Sequence, residues 1–340
     1  MLEKQIPAWL EPIWKQWRIA YREGRLPHAV LVTGPSGIGK RWLVEMFVRG
    51  IQCRAPTEQG LPCDQCPSCK QYVSYHHLER KTHPDIDWLT IGRYSIGIGD
   101  IRDQIIQRLT LKANYGHMRL LVIEPAERMT RAASNALLKS LEEPPPDTML
   151  FLVSHQPGRL LATIRSRCQR YALPEPDAEQ SQTWLSEFMP PEQAKSALQA
   201  GGGMPMRALQ MQQDDQVDFR NDFEQGLTDV LEGRQSETAF ASAWNVTPAR
   251  GRARGKKTDS EEVQEDISMD LRLVWMMDRV VEDIRSKVAG KDSVLSIRAT
   301  LQAYRVLLDI RAREAIIPAP QLNLEAACLA LTGAAQPPAD

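Results

Sequence analysis

Four stretches of the chain carry residues whose types and spacing suit chemistry. The first is Gly34-Pro35-Ser36-Gly37-Ile38-Gly39-Lys40-Arg41, placed directly after the apolar run Ala29-Val30-Leu31-Val32-Thr33. Glycines at this spacing let the backbone close around a phosphate, and the N–H groups at the start of the following helix point into the loop. Lys40 then reaches the outer phosphates. The pattern asks for Ser or Thr next, because that hydroxyl holds Mg²⁺, and here the residue is Arg41. The second stretch is Cys53, Cys63, Cys66 and Cys69, a C-x9-C-x2-C-x2-C run. Thiolates so spaced converge on one ion, and four of them complete a closed tetrahedral zinc site with no open position for catalysis. The plainer alternative is a set of reduced thiols. His76, His77 and His83 follow closely, but four cysteines leave no ligand position for them, and His83-Pro84-Asp85 reads as a turn into a strand.

The third stretch is Leu120-Leu121-Val122-Ile123 running into Glu124-Pro125. A phosphate loop that hydrolyses its nucleotide is faced by a buried strand ending in Asp, for Mg²⁺, and then Glu, to polarise the attacking water. Glu124 retains an acid there, whereas Pro125 has no group to act as a base. Together with Arg41 this removes two of the three groups that hydrolysis depends on, each loss being on the order of 10²–10⁴ in rate. ATP or ADP binding through Gly34, Gly37, Gly39 and Lys40 stays open; hydrolysis is not expected. The fourth stretch is Ser166-Arg167-Cys168. An arginine at the rim of a domain is the arrangement of a finger supplied in trans to a neighbour's nucleotide, although a lone arginine after a helix is also a common solvated charge. Cys168 reads as a small buried hydrophobe.

These residues need positioning elements. Apolar spacing predicts a helix from Ala8 to Arg25 whose tryptophans are core, a strand over 29–33, and a helix from Arg41 to Ile51. Strands follow over 85–91, 118–123, 149–154 and, at an edge, 169–173. Helices are expected over 98–109, from a Thr130 cap to the stop at Pro144-Pro145-Pro146, and over 159–164. Strands alternating with helices over 1–173 argue for a parallel sheet covered on both faces. From Ala178 onward the pattern is helical, broken at Gly201-Gly202-Gly203. The stretch 249–265 lacks apolar periodicity and reads as a mobile, solvated loop whose basic half could also meet a phosphate backbone.

Composition narrows the function classes. Lys plus Arg number 42 against 43 Asp plus Glu, so there is no global basic field to announce a nucleic-acid partner. No apolar run is long enough to span a membrane, and Met1-Leu2-Glu3-Lys4-Gln5 lacks the form of a signal peptide, so a cytoplasmic protein without a membrane partner is expected. In that compartment six cysteines point to metal or buried thiols rather than disulfides.

In combination the sequence resembles the clamp-loader branch of the AAA+ proteins. The resemblance is carried by His28-Ala29 with Gly34–Lys40, the four-cysteine insert, Thr82-His83-Pro84-Asp85, Ala133-Ser134-Asn135-Ala136-Leu137-Leu138-Lys139-Ser140-Leu141-Glu142-Glu143-Pro144-Pro145, and Thr163-Ile164-Arg165-Ser166-Arg167-Cys168. It is strong over 1–173, moderate to about 213 and weak thereafter. It implies an α/β part followed by an all-α part. These are a RecA-like AAA+ domain (1–173) bearing a four-cysteine zinc module (53–69), a helical lid (174–213) and a C-terminal helical collar (214–340). In the family, five such subunits form an open ring that uses ATP to open a sliding clamp and place it on primed DNA. The implied partners are the motor (gamma/tau) and delta subunits of bacterial DNA polymerase III, and, through the assembled ring, the clamp and primed DNA.

The motors of that family carry Lys-Thr or Lys-Ser and Asp-Glu at the two nucleotide motifs. This chain departs at both, which implies the non-hydrolysing, stator-like member of an enzyme assembly. On that resemblance Arg167 is the finger given to the adjacent motor's ATP site, with Ser166 and Cys168 fixing its presentation. Ser154 falls where motors carry a polar sensor, and Arg207 lies one position off the motors' γ-phosphate sensor. Two other readings compete: a hydrolysing motor of the same family, opposed by Arg41 and Pro125, and a zinc-dependent DNA-binding module, opposed by the near-neutral charge.

Overall fold

The computed structural model describes residues 5–72, 83–90, 95–115, 117–213, 217–245, 269–290, 294–314 and 320–335. The 249–265 loop, His76 and His77 lie outside the described residues. The chain divides into two compact units, Met1–Glu187 with Met204–Arg207, and Phe188–Gly203 with Ala208–Asp340.

In the first unit the elements run α1 (Glu11–Arg22), β1 (Ala29–Thr33), α2 (Lys40–Gln52), the short α3 (Pro67–Gln71) and β2 (Ile86–Thr90). Next come α4 (Ile98–Asp100), a π-helical turn (Ile101–Ile106), α5 (Gln107–Leu109) and β3 (Arg119–Glu124). The unit continues with α6 (Arg131–Glu142), β4 (Thr148–Ser154), α7 (Ala162–Arg165), β5 (Gln169–Ala172) and α8 (Ala178–Leu185). The expected helix over 98–109 is thus helical throughout but widens to π spacing at its centre, with Ile101 and Ile105 both fully buried. The expected helix over 159–164 is instead a 3₁₀ turn (Pro157–Arg159) followed by α7.

All five strands are parallel, in the order β2-β3-β4-β1-β5. A central parallel strand is covered on both faces and reads as unbroken apolar sequence, which is why every residue of Ala29–Thr33 is buried. Trp17 fills one side of the sheet, with its ring centroid 5.0 Å from Phe47, 5.7 Å from Phe151 and 5.5 Å from Tyr171. These edge-on and tilted contacts, with Trp14 against Phe47, confirm the tryptophans of α1 as core. On the other side Ala133, Leu137 and Leu141 of α6 pack with Ile101, Ile105, Ile164 and Cys168. Thr130 caps α6 by accepting the Ala133 N–H at 3.2 Å.

The sheet's carboxyl edge gathers the site. Register pairs Thr33 with Ser154, Ile123 with Leu152 and Thr90 with Glu124, so β1, β4, β3 and β2 end together. Open parallel sheets bind ligands outside that edge.

From Pro191 onward the described elements are all helices: α9 (Pro191–Ala200), α10 (Pro205–Gln213), α11 (Asp218–Leu231), α12 (Glu237–Asn245), α13 (Met269–Gly290), α14 (Val294–Glu314) and α15 (Pro320–Ala335). The second unit has its own core around Phe223, Phe240, Trp244, Trp275 and Leu307. The Trp275 indole N–H is satisfied by Ala200 O at 2.8 Å.

Candidate functional site

Between β1 and α2 the chain forms the expected glycine loop, with Gly34, Gly37 and Gly39 at φ 151°, 83° and 104°. Gly37 is irreplaceable on two counts: its φ is left-handed, and an added Cβ would lie 2.6 Å from the Arg207 Cβ. The loop is tied on several sides. Trp9 Nε1 donates to Ile38 O at 2.9 Å, Met206 N donates to Gly37 O at 3.1 Å, and Arg207 Nη2 donates to Ser36 O at 3.0 Å.

Lys40 is buried and turned back on its own loop, its ammonium donating to Gly34 O at 2.7 Å and Pro35 O at 2.5 Å. Burial brings its pKa down to about 7, opposed by Glu124 and Glu127 and reinforced by Arg207. His155 follows Ser154 in the same group, and burial together with Lys40, Arg207 and Arg128 holds its imidazole neutral.

Beside Lys40 the first turn of α2 and the end of β3 are joined by an ion pair. Arg41 Nε lies 3.6 Å from Glu124 Oε2, with the guanidinium 5.7 Å from the Trp88 ring centroid. Glu124 is buried and Arg41 largely so. Sequence reasoning singled out both residues but not that they meet. A cleft of about 800 Å³ bordered by Trp9, Lys15 and Trp184 lies in the same unit, and none of residues 34–40 lines it.

Ser166-Arg167-Cys168 falls in the turn between α7 and β5. Ser166 and Arg167 are exposed, while Cys168 is buried beside Ile164, and burial raises its thiol to about 12. Cys168 is therefore the anchor and not a nucleophile. Arg165 serves the fold instead, since its Nη1 reaches Pro157 O, Gly158 O and Leu160 O at 3.1–3.3 Å and closes the preceding loop. Arg167 by contrast lies on the surface against Glu142, with Nε 2.7 Å from Oε1.

The four cysteine sulfurs all lie within 4.8 Å of one another and could hold a metal ion. A tetrahedral zinc with Zn–S of ~2.3 Å spaces its sulfurs about 3.8 Å apart, close to the 4.0 Å between Cys53 and Cys66. Backbone N–H groups aim at the sulfurs, Cys63 N at Cys53, Cys66 N at Cys63 and Cys69 N at Cys66, at 3.2–3.4 Å. Burial acts to raise the Cys66 thiol, yet the N–H groups of Cys69 and Arg54 and the adjacent thiols bring it down to about 6. That is the chemistry of a thiolate cradle. The module is fastened to α1 and α2: Trp14 Nε1 donates to Gln59 O at 2.8 Å, and Arg49 reaches Asp64 at 2.6 Å.

His83 is not part of that cradle. Its Nδ1 accepts the Asp85 N–H at 3.1 Å, which leaves the proton on Nε2 for Ser68 Oγ at 2.9 Å. The fully buried Asp85 accepts from Asn114 N, Asn114 Nδ2 and Tyr115 N at 2.6–3.1 Å, with Arg119 Nη1 at 3.7 Å. The expected turn into β2 is thus a buried polar knot.

Residues 9–177 match the family described as DNA polymerase III, delta subunit. A DNA polymerase III subunit delta' from Pseudomonas aeruginosa is 35% identical over 248 residues, covering 72% of this chain and 72% of that protein. The chain belongs to the DNA polymerase III delta' family. The family's Escherichia coli member is 34% identical over 64% of each chain. A DNA polymerase III subunit tau/gamma from Haemophilus influenzae is 29% identical, across 50% of this chain and 24% of that protein. Among the described residues no helix is long and apolar enough to cross a membrane.

Proposed function

We propose that this delta' family member is a non-hydrolysing, stator-like subunit of the bacterial clamp loader, acting through its surfaces on a neighbour's nucleotide. The observation that carries the reading is the Arg41–Glu124 pair. Hydrolysis needs a divalent cation between a hydroxyl and an acid at that point, and here a guanidinium faces the acid instead. The Lys40 ammonium is also engaged with Gly34 O and Pro35 O of its own loop.

The chemistry left to the chain is at Arg167. Its exposure, the burial of Cys168 behind it and the likeness to a tau/gamma subunit support an arginine finger offered in trans to a motor subunit's ATP, with the delta subunit, the clamp and primed DNA as further partners of the ring. In this reading residues 174–213 act as a lid, 214–340 as a collar, and Cys53, Cys63, Cys66 and Cys69 hold one structural zinc in a cytoplasmic protein.

The test is ATP turnover by the purified chain with Mg²⁺ and excess nucleotide. No turnover above that of a Lys40→Ala control is expected, and multiple turnover abolished by that substitution would make the chain a motor.

A further inference from the structure

Arg167 is exposed yet held in one geometry. Its Nε and Nη2 both meet Glu142 Oε1, at 2.7 and 2.5 Å, and Nη1 donates to Thr163 O at 3.1 Å. A guanidinium carries five N–H groups. These contacts engage three of them and leave one on each terminal nitrogen. The two backbones that bear the pair share one anchor, because Leu141, Ile164 and Cys168 belong to the same buried cluster. Glu142 and Arg167 are therefore kept at a fixed separation rather than meeting by chance on two loose loops.

Glu142 is not explained by its own helix. It ends α6, where the negative pole of the helix dipole disfavours a carboxylate and favours a cation such as Lys139 of the same turn. A residue unfavourable for its helix, with its carboxylate on Arg167, has its use at the arginine. An arginine on an exposed turn otherwise samples many rotamers and loses that freedom when it engages a ligand.

We propose that Glu142 is a positioning residue for Arg167. It preorders the guanidinium so that the two remaining N–H groups are offered together to an anionic phosphoryl oxygen of a neighbouring subunit's nucleotide. The proposal rests on the reading of Arg167 as a finger in trans. Contact with the nucleotide belongs to Arg167; Glu142 acts only through it.

The experiment uses the assembled loader containing the full-length chain, with ATP turnover measured in the presence of clamp and primed DNA across ATP concentrations. Glu142→Gln is expected to lower kcat by on the order of two- to threefold, and by no more than Arg167→Ala does, at unchanged KM for ATP. Glu142→Asp should recover part of the loss, and Glu142→Gln combined with Arg167→Ala should be no slower than Arg167→Ala alone. Thermal melting of the Glu142→Gln chain should be unchanged or higher, because a carboxylate has left a helix C-terminus. Normal turnover with Glu142→Gln while Arg167→Ala is slow would overturn the positioning role and leave the finger standing. A further loss in the Arg167→Ala background would place the action of Glu142 elsewhere, and full turnover with Arg167→Ala would remove finger and positioning residue together.

Discussion

Arg41 and Glu124 stand 3.6 Å apart, one in the first turn of α2 after the glycine loop and the other at the end of β3, two strands away from β1 in the sheet. Where a nucleotide-hydrolysing relative needs a hydroxyl, a cation and an acid, this chain has joined its own two ends of the site. Removing one partner leaves the other's charge less well compensated. Arg41→Met is expected to destabilise the chain by about 1–3 kcal/mol, a value reduced from that of a fully buried pair because Arg41 keeps some solvent contact. Chemical denaturation of variant and parent checks it, and equal midpoints would mean that the pair contributes nothing.

Lys40 gives the loop a pH signature. Its folded pKa is about 7, below the ordinary lysine value of 10.5. Between those values the unfolded chain binds more protons than the folded one, so this group makes stability rise as pH increases through the window. Below about 7 lysine is charged in both states and the cost is constant. Unfolding midpoints from pH 6 to 10 should rise less steeply for Lys40→Met than for the parent. Parallel profiles would show that the carbonyls of Gly34 and Pro35 keep the ammonium charged.

Much of this was legible from residue types. The apolar run 29–33 ahead of the glycine loop could only be a central strand and a turn, and both are found. Thr130 announced its helix, and Cys53 to Cys69 announced a convergent cluster. What escaped were contacts set by tertiary geometry. Arg207 reaches Ser36 O across 171 positions and Trp9 reaches Ile38 O across 29, and no local period encodes such pairs. The Glu142–Arg167 pair escaped for the same reason, although both lie in stretches that identified the family. The π turn at Ile101–Ile106 was hidden because its apolar spacing also satisfies an ordinary helix.

The knot around Asp85 should be the costliest single point in the sheet unit. Asp85→Ala strands the N–H groups of Asn114 and Tyr115 and leaves Arg119, itself buried, without its carboxylate. A loss of about 3–5 kcal/mol is expected. Thermal melting of the purified variant measures it, and a near-parental midpoint would mean that water replaces the carboxylate.

The cysteine cluster predicts about one zinc per chain in freshly prepared protein. Thiolates must protonate to release it, so metal retention and the stability it brings should fall together as pH drops, and Cys66→Ser should lose both. Metal analysis paired with melting across pH checks this. Protein that melts identically with and without a chelator would leave the four cysteines as plain thiols.

The central claim is that this subunit's chemistry is spent on another subunit's nucleotide, and ATP turnover by the assembled loader with clamp and primed DNA tests it most directly. An arginine finger is worth orders of magnitude at the site it completes. With Arg167→Ala, ring assembly and folding are expected to be intact while stimulated turnover falls by at least about threefold. Turnover equal to the parent's in a fully assembled ring would contradict the account.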